Sequence, residues 1–307
     1  MREPRPRPRR TGAPHCAQRT GYRRPVAIAL ERVNLRSVGP GARAVLPRRA
    51  ARARSVAALA VAIAIGIGGC AHDAPLSVLP GLARFETPEG VVGMPTIDGY
   101  RYIVPVDGGV VLVDAGFQAP TQSERDVVGG RRILAVLVTH AHLDHVGGLA
   151  AYDGIPVYIG RDELPVASHA LDHRAPLQRF FRAIVPFAGL PHSVHAVDDG
   201  DVVVVGGRMF TALFLRGHTR GSTAWITKRV DDDADVWLFS GDAVLAHDGR
   251  IGFPPPGFSD DERQMLASLE RLRGHPFRVM FDGHAGRSVG SWAKIPRFIV
   301  EETRRRF

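Results

Sequence analysis

The sequence predicts an α+β protein whose core is a two-layered sheet covered by helices. Three observations support this. Beyond residue 90, apolar runs of strand length alternate with turn signals. The runs fall into two groups, one on either side of residue 200. Each group is followed by segments with helical spacing, as expected when helices cover the outer faces of a packed sheet pair.

The first 54 residues are rich in Arg, Pro and Gly and show no sustained periodicity. They read as a disordered basic extension, or as no part of the mature protein. RRAARARS (48–55) then precedes an apolar core (56–67) and Gly68-Gly69-Cys70. A basic region, about a dozen apolar residues and small residues before a cleavage point describe a secretory signal. The apolar run is short for a transmembrane helix, which needs about 20 residues. The extension ahead is long for such a signal, and a translation start placed too far upstream would account for it. Ile67-Gly68-Gly69-Cys70 resembles the lipobox of bacterial lipoproteins. That resemblance implies cleavage before Cys70, lipidation of its thiol and attachment to membrane in the cell envelope; without signal use the protein would be cytoplasmic. Residues 71–90 read as a linker, and 91–307 as one domain.

Within that domain, runs 102–106 and 109–113 flank Asp107-Gly108, a hairpin turn signal. Runs 133–138 and 155–159 are the next strands. Segment 161–187 carries helical spacing, with Leu177, Phe180, Phe181 and Ile184 on one face. A second set of strands follows at 202–205, 210–215, 224–227 and 236–239. Ser259-Asp260-Asp261-Glu262 has the form of a capping box, opening a helix with Met265, Leu266, Leu269 and Leu272 on one side. Run 277–281 is a final strand and 292–307 a closing helix.

The net charge of +9 belongs to the extension. Fifteen arginines face only Glu3 and Glu31 there, which leaves the remainder at −4. A basic body would have pointed to nucleic acid; this one does not, and a small-molecule substrate is expected. The oligomeric state is not legible. Cys16 and Cys70 are the only cysteines, so a disulfide framework and a CxxC metal site are excluded. Any metal must be held by histidine and carboxylate.

Polar residues cluster where five strands end: Asp114-Ala115-Gly116, His140-Ala141-His142-Leu143-Asp144-His145, Gly217-His218-Thr219, Gly241-Asp242 and Gly283-His284. Strand ends bring distant parts of a chain to one rim of a sheet. A single histidine at such a place is usually a satisfied polar residue. The run 140–145 is different. Three imidazoles and a carboxylate in six positions would be costly to bury together, and a divalent cation removes that penalty. His140, His142, Asp144 and His145 are therefore candidate ligands, and Asp114, His218, Asp242 and His284 at the other strand ends are the places from which further ligands could come.

In their order along the chain these motifs resemble the metallo-β-lactamase superfamily over about residues 90–290. The resemblance implies an αββα four-layer sandwich with a dinuclear site on one edge. It implies two zinc ions, with iron or manganese as the alternatives. His140, His142 and His218 would hold the first, and Asp144, His145 and His284 the second. Asp242 would bridge them, and Asp114 would support the loop. Those seven N and O donors exceed the four of a tetrahedral zinc and suit two ions with open positions. The implied reaction is hydrolysis of an ester, thioester or lactone by a metal-bridging hydroxide, with Asp144 and Asp242 also moving protons. A bridging aspartate argues against β-lactam hydrolysis and resembles glyoxalase II and the acyl-homoserine lactonases. Only 23 residues follow His284, short of glyoxalase II's helical domain, and no tyrosine follows Asp242 as in the lactonases. A mononuclear-iron persulfide dioxygenase or a β-lactam hydrolase is the alternative, and a non-enzymatic binding lipoprotein is a further one. Arg220 is a candidate contact for an anionic substrate. Phe253, Pro254, Pro255 and Pro256, together with 161–190, are candidate pocket walls. His169, His173, His192 and His195 are expected at the surface or on helices.

Overall fold

A computed structural model of the protein describes residues 82–247 and 249–306. The basic extension, the apolar segment and Cys70 lie outside the described residues. Two sheets stack face to face. The first has seven strands in sequence order: β1 (Phe85–Glu86), β2 (Val92–Pro95), β3 (Tyr100–Val106), β4 (Gly109–Val113), β5 (Ile133–Leu137), β6 (Val157–Gly160) and β7 (Val194–Val197). The first four form an antiparallel meander, with Asp107-Gly108 turning β3 into β4 as expected. The last three add in parallel. Parallel neighbours need crossovers, and these supply the covering helices: α1 (Gln122–Val128), α2 (Leu143–Val146), α3 (Leu164–Ala167) and α4 (Pro176–Ile184).

The second sheet comprises β8 (Val202–Val205), β9 (Arg208–Phe214), β10 (Thr223–Arg229), β11 (Asp232–Gly241), β14 (Val279–Asp282) and β15 (Gly286–Val289), in the order β15-β14-β11-β10-β9-β8. A small hairpin, β12 (Leu245–His247) with β13 (Arg250–Gly252), lies apart. Helix α5 (Glu262–Leu269) precedes β14, which pairs parallel to β11, and α6 (Ile295–Arg306) closes the described chain. Among the described residues no helix is long and apolar enough to cross a membrane.

Alternation along the strands builds three apolar layers. Tyr102, Val104, Val111, Val113 and Leu137 face Phe210, Trp225, Phe239 and Phe281 between the sheets. Their neighbours Ile103, Val110, Leu112 and Val136 point outward against Val146, Leu149, Tyr152 and Val166. On the far side Leu213, Leu238 and Met280 meet Met265, Leu266, Leu269, Ile295 and Ile299. The result is the expected αββα sandwich. Strands buried on both faces read as unbroken apolar runs, which is why they were visible in sequence.

Three local expectations are corrected. Segment 161–187 is not one helix but two, α3 and α4, each with a proline in its first turn, joined by 168–175. The face of Leu177, Phe180, Phe181 and Ile184 does not enter a core: Phe180 is 50% exposed and Ile184 37%. Helix α5 is capped by Asp261, whose carboxylate accepts from Gln264 N at 2.9 Å, and not by Ser259. The true capping box is Thr121–Glu124 on α1, a helix of seven residues too short to show a period.

Candidate metal centre

Strands β9 and β11 are each antiparallel to β10, and β14 is parallel to β11. All three therefore end at one rim, where His218, Asp242 and His284 follow. β5 of the other sheet ends at the same place. Past it the chain stays extended through His142, with φ −71° and ψ 150°, then enters the single turn of α2. His140 and His142 come from the extended stretch, and Asp144 and His145 from the helical turn. The rim closes because Thr223 N donates to Thr139 O at 2.8 Å and Trp225 Nε1 to Val138 O at 3.1 Å.

The structure brings all seven predicted residues together as two sets, His140, His142, His218 and Asp242, and Asp144, His145, Asp242 and His284. Asp242 belongs to both. His218 Nε2 stands 3.2 Å from His140 Nε2 and 3.0 Å from His142 Nδ1. Asp242 Oδ2 lies 3.5 Å from His218 Nε2 and 2.7 Å from His284 Nε2, while Oδ1 lies 3.5 Å from His145 Nε2. Asp144 Oδ2 is 3.1 Å from His145 Nε2 and 3.6 Å from His284 Nε2. Donors at about 2.0–2.1 Å around a tetrahedral zinc stand roughly 3.3 Å apart, the spacing seen here.

Hydrogen bonds behind the cluster set the tautomers. Asp114 Oδ1 accepts from Thr139 N at 2.7 Å, and Oδ2 accepts from the Thr139 hydroxyl at 2.9 Å and from His145 Nδ1 at 2.7 Å. His140 Nδ1 donates to Thr139 Oγ1 and His218 Nδ1 to Ser259 Oγ, each at 3.0 Å. The Nε2 lone pairs of His140 and His218, and of His145 in its neutral form, are then turned into the cluster. His145 Nε2 and Asp242 Oδ1 are buried there without a hydrogen-bond partner. Converging lone pairs beside orphaned buried acceptors repel one another unless a cation lies between them, so the donor set fits metal. Gly283 permits the approach: a Cβ there would fall 2.0 Å from Asp242 Oδ1. Gly241, at φ 51°, turns β11 into Asp242 against Thr139.

The electrostatics agree. Burial, followed by the neighbouring imidazoles, pushes His140 and His142 well below the ordinary value. Burial also takes His218 down to about 4, against the opposing pull of Asp242. Burial alone would lower His284 too, but Asp242, Asp98 and Asp144 outweigh it and push it up to about 10. His145 is likewise raised by Asp144, Asp114 and Asp242 despite burial. Burial opposes ionisation of Asp242, yet His284 and His145 hold its carboxyl well below the usual range. One end of the cluster keeps imidazoles neutral, and the other strongly favours positive charge.

Several participants were not anticipated. Ser259, read as a cap, instead supports His218. Asp282 accepts from the backbone N–H of Ala246, His284 and Ala285 at 2.6–3.0 Å and shapes the turn that carries His284. Asp98 lies 3.9 Å from His284 Nδ1, and burial pushes its carboxyl up to about 6. Glu163 is completely buried among the ligand loops. An isolated carboxylate carries no period, so only the three-dimensional arrangement reveals these roles.

The off-motif histidines separate. His169 stacks on Phe187 and His195 on Tyr158, and His192 pairs with Asp153 at 3.2 Å. His173 corrects the expectation of a surface residue: it is 4% exposed and its ring lies 5.0 Å from that of His142. Arg220 is half-buried, its Nε without a partner. Phe253 packs on Phe298 in the outer core.

The family model of the metallo-beta-lactamase superfamily matches residues 99–284. The chain belongs to this superfamily. The match contains Asp114 and all seven clustered residues. Among curated relatives, the hydroxyacylglutathione hydrolase of Stenotrophomonas maltophilia (strain R551-3) is 31% identical over 186 residues, covering 60% of this chain and 59% of that protein. That of Synechococcus sp. (strain JA-2-3B'a(2-13)) is 28% identical over 190 residues, covering 61% and 63%. The chain thus spans about three fifths of the length of these relatives. Solved superfamily folds align more widely at lower identity. A metallo-beta-lactamase of Cronobacter sakazakii with a HARLDQ motif gives a TM-score of 0.53 at 19% identity, covering 73% of this chain and 93% of that one. A beta-lactamase domain protein from Burkholderia ambifaria gives 0.53 at 20%, covering 74% and 79%. These likenesses show the shared fold.

Proposed function

We propose that the protein is a dinuclear metallo-hydrolase that cleaves a carbonyl ester, thioester or lactone, with two zinc ions as its metals. The observation that carries this reading is the Asp242 carboxylate, which belongs to both donor sets at once. Two divalent ions in such a site supply Lewis acidity and a water activated near neutral pH. His140, His142 and His218 would hold the first ion, Asp144, His145 and His284 the second, with Asp242 between them. Asp114 and Ser259 fix the rings, so the donors are in place before substrate arrives. Asp144 and Asp242 would also move protons, a role secondary to ligation. Arg220 would meet an anionic substrate, and His173, its ring 5.0 Å from that of His142, would flank the first set. The sequence likeness to hydroxyacylglutathione hydrolases favours an acyl thioester among the three bond types.

Metal analysis of the purified protein, followed by a panel of thioesters, esters, lactones and β-lactams, tests this. The expected result is two zinc ions per chain and turnover of a thioester, with Asp242→Ala losing both metal and turnover. One iron per chain would favour a persulfide dioxygenase. Two zincs with no turnover of any panel member would sink the carbonyl-hydrolase reading.

A further inference from the structure

Glu163 begins α3 in the first sheet's crossover and is fully buried, yet lies outside the cluster. Its two oxygens serve two different loops. Oε2 accepts from Ala141 N at 2.7 Å, and Oε1 from Gly221 N at 2.6 Å. In the same loop as Gly221, the Thr219 hydroxyl is paired with Ser222 Oγ at 2.7 Å. Ala141 lies between His140 and His142. Thr219 and Gly221 follow His218. One carboxylate therefore joins the loops that carry all three histidines of the first set, and those loops leave different sheets.

The contact is close. A Cβ on Gly221 would fall 2.8 Å from Glu163 N, so the α3 turn and the His218 loop meet backbone to backbone. Ala141 N and Gly221 N are both buried, and Glu163 is their hydrogen-bond partner. Without it both would be buried donors without an acceptor, each losing its hydrogen bond to water with nothing to replace it.

We infer that Glu163 is a positioning residue for the first metal site, a two-loop clamp that sets the spacing of His140 and His142 against His218. This rests on the metal reading above. The clamp needs two acceptor oxygens and the reach of a glutamate. Glutamine has the same shape but sets an NH₂ against one of the two backbone N–H groups. Aspartate keeps the charge but is one methylene short and cannot reach both loops. A purely electrostatic attraction between a buried anion and a nearby cation would survive in the aspartate variant, whereas a clamp would not.

The test titrates zinc into metal-free full-length protein against a chromophoric chelator that resolves two binding steps. His218→Ala, which removes a donor of the first set alone, identifies the step belonging to that set. Glu163→Gln and Glu163→Asp are each expected to weaken that step roughly 10–100-fold and to leave the other within about threefold. Hydrogen exchange on the metal-free proteins gives a readout independent of metal. The amides of Ala141 and Gly221 should be protected in the wild type, and at least one of them should exchange freely in Glu163→Gln. Wild-type affinity at both steps in Glu163→Gln would overturn the inference. So would full affinity in Glu163→Asp, which would leave only charge, or equal weakening of both steps with a general fall in melting temperature. Wild-type protein that takes up no zinc would overturn the metal reading itself, and the inference with it.

Discussion

Asp114 shows how much a single side chain carries here. At φ 61° it occupies the left-handed region, which aspartate tolerates better than most residues. That turn aims one carboxylate at Thr139 N, the Thr139 hydroxyl and His145 Nδ1 together. Through Thr139 it also orients His140. Asp114→Asn keeps the shape and replaces one acceptor with a donor, facing groups that all donate. Metal affinity should fall roughly 10–100-fold in chelator competition, with the melting temperature of the metal-free protein little changed. An unchanged affinity would mean that His145 is oriented by something else. The seven clustered residues were legible in sequence because each stands where an apolar strand stops. Glu163 and Asp98 were not, because a lone carboxylate off the strand ends looks the same whether it is solvated or buried; Asp282 stands at a strand end, but its support of the His284 turn shows only in three dimensions.

Among the elements, α1 and α4 behave in opposite ways. Helix α1 is tied to the first sheet by a buried ion pair, Arg101 with Glu124, with side chains 2% and 5% exposed. Arg101 also donates to the carbonyls of Ala115 and Gln118. Removing one partner strands a buried charge, so Arg101→Met should lose about 3–5 kcal/mol in urea unfolding. Adding Glu124→Leu should restore part of that; a double variant no more stable than the single one would show that the carbonyl contacts dominate. Helix α4 has a regular apolar face that reads as a core helix, yet Phe180 is half exposed. Phe180→Ser should therefore shift stability by less than about 0.5 kcal/mol, while Phe239→Ala, between the sheets, should cost about 3–5 kcal/mol. A large loss at Phe180 would place α4 in the core after all. Periodicity reports that a face is apolar; it does not report whether anything covers that face.

At the scale of the whole molecule, the sheets are joined by polar ties as well as by their shared core. Glu89, just before β2, accepts two hydrogen bonds from Arg287 at 2.8 Å and pairs with Arg278 at 3.0 Å. These arginines belong to the second sheet's edge. The Arg287 hydrogen bonds, aided by Arg278 and opposed by burial, lower the Glu89 carboxyl from 4.5 to about 2. An acid depressed in the folded state contributes stability above its unfolded value. That contribution is lost as pH falls from 4.5 towards about 2, because the unfolded chain takes up its proton first. Melting temperatures of the wild type should therefore fall more steeply across that window than those of Glu89→Gln. Parallel curves would show that the tie adds nothing to folding.

What the sequence by itself determined is the inventory: the apolar strands, their two groups, and seven donors at strand ends. These follow from local rules, since burial on both faces demands unbroken apolar runs and coordination demands specific side chains. What only the tertiary structure decided is who stands beside whom. β9, β11 and β14 end together because β10 runs against its two neighbours. Asp242 can serve both donor sets because Gly283 leaves it room. Ser259 supports a histidine because α5 starts two residues later than its sequence suggests. Each of these depends on the distance between segments far apart in the chain, and no local pattern encodes that distance.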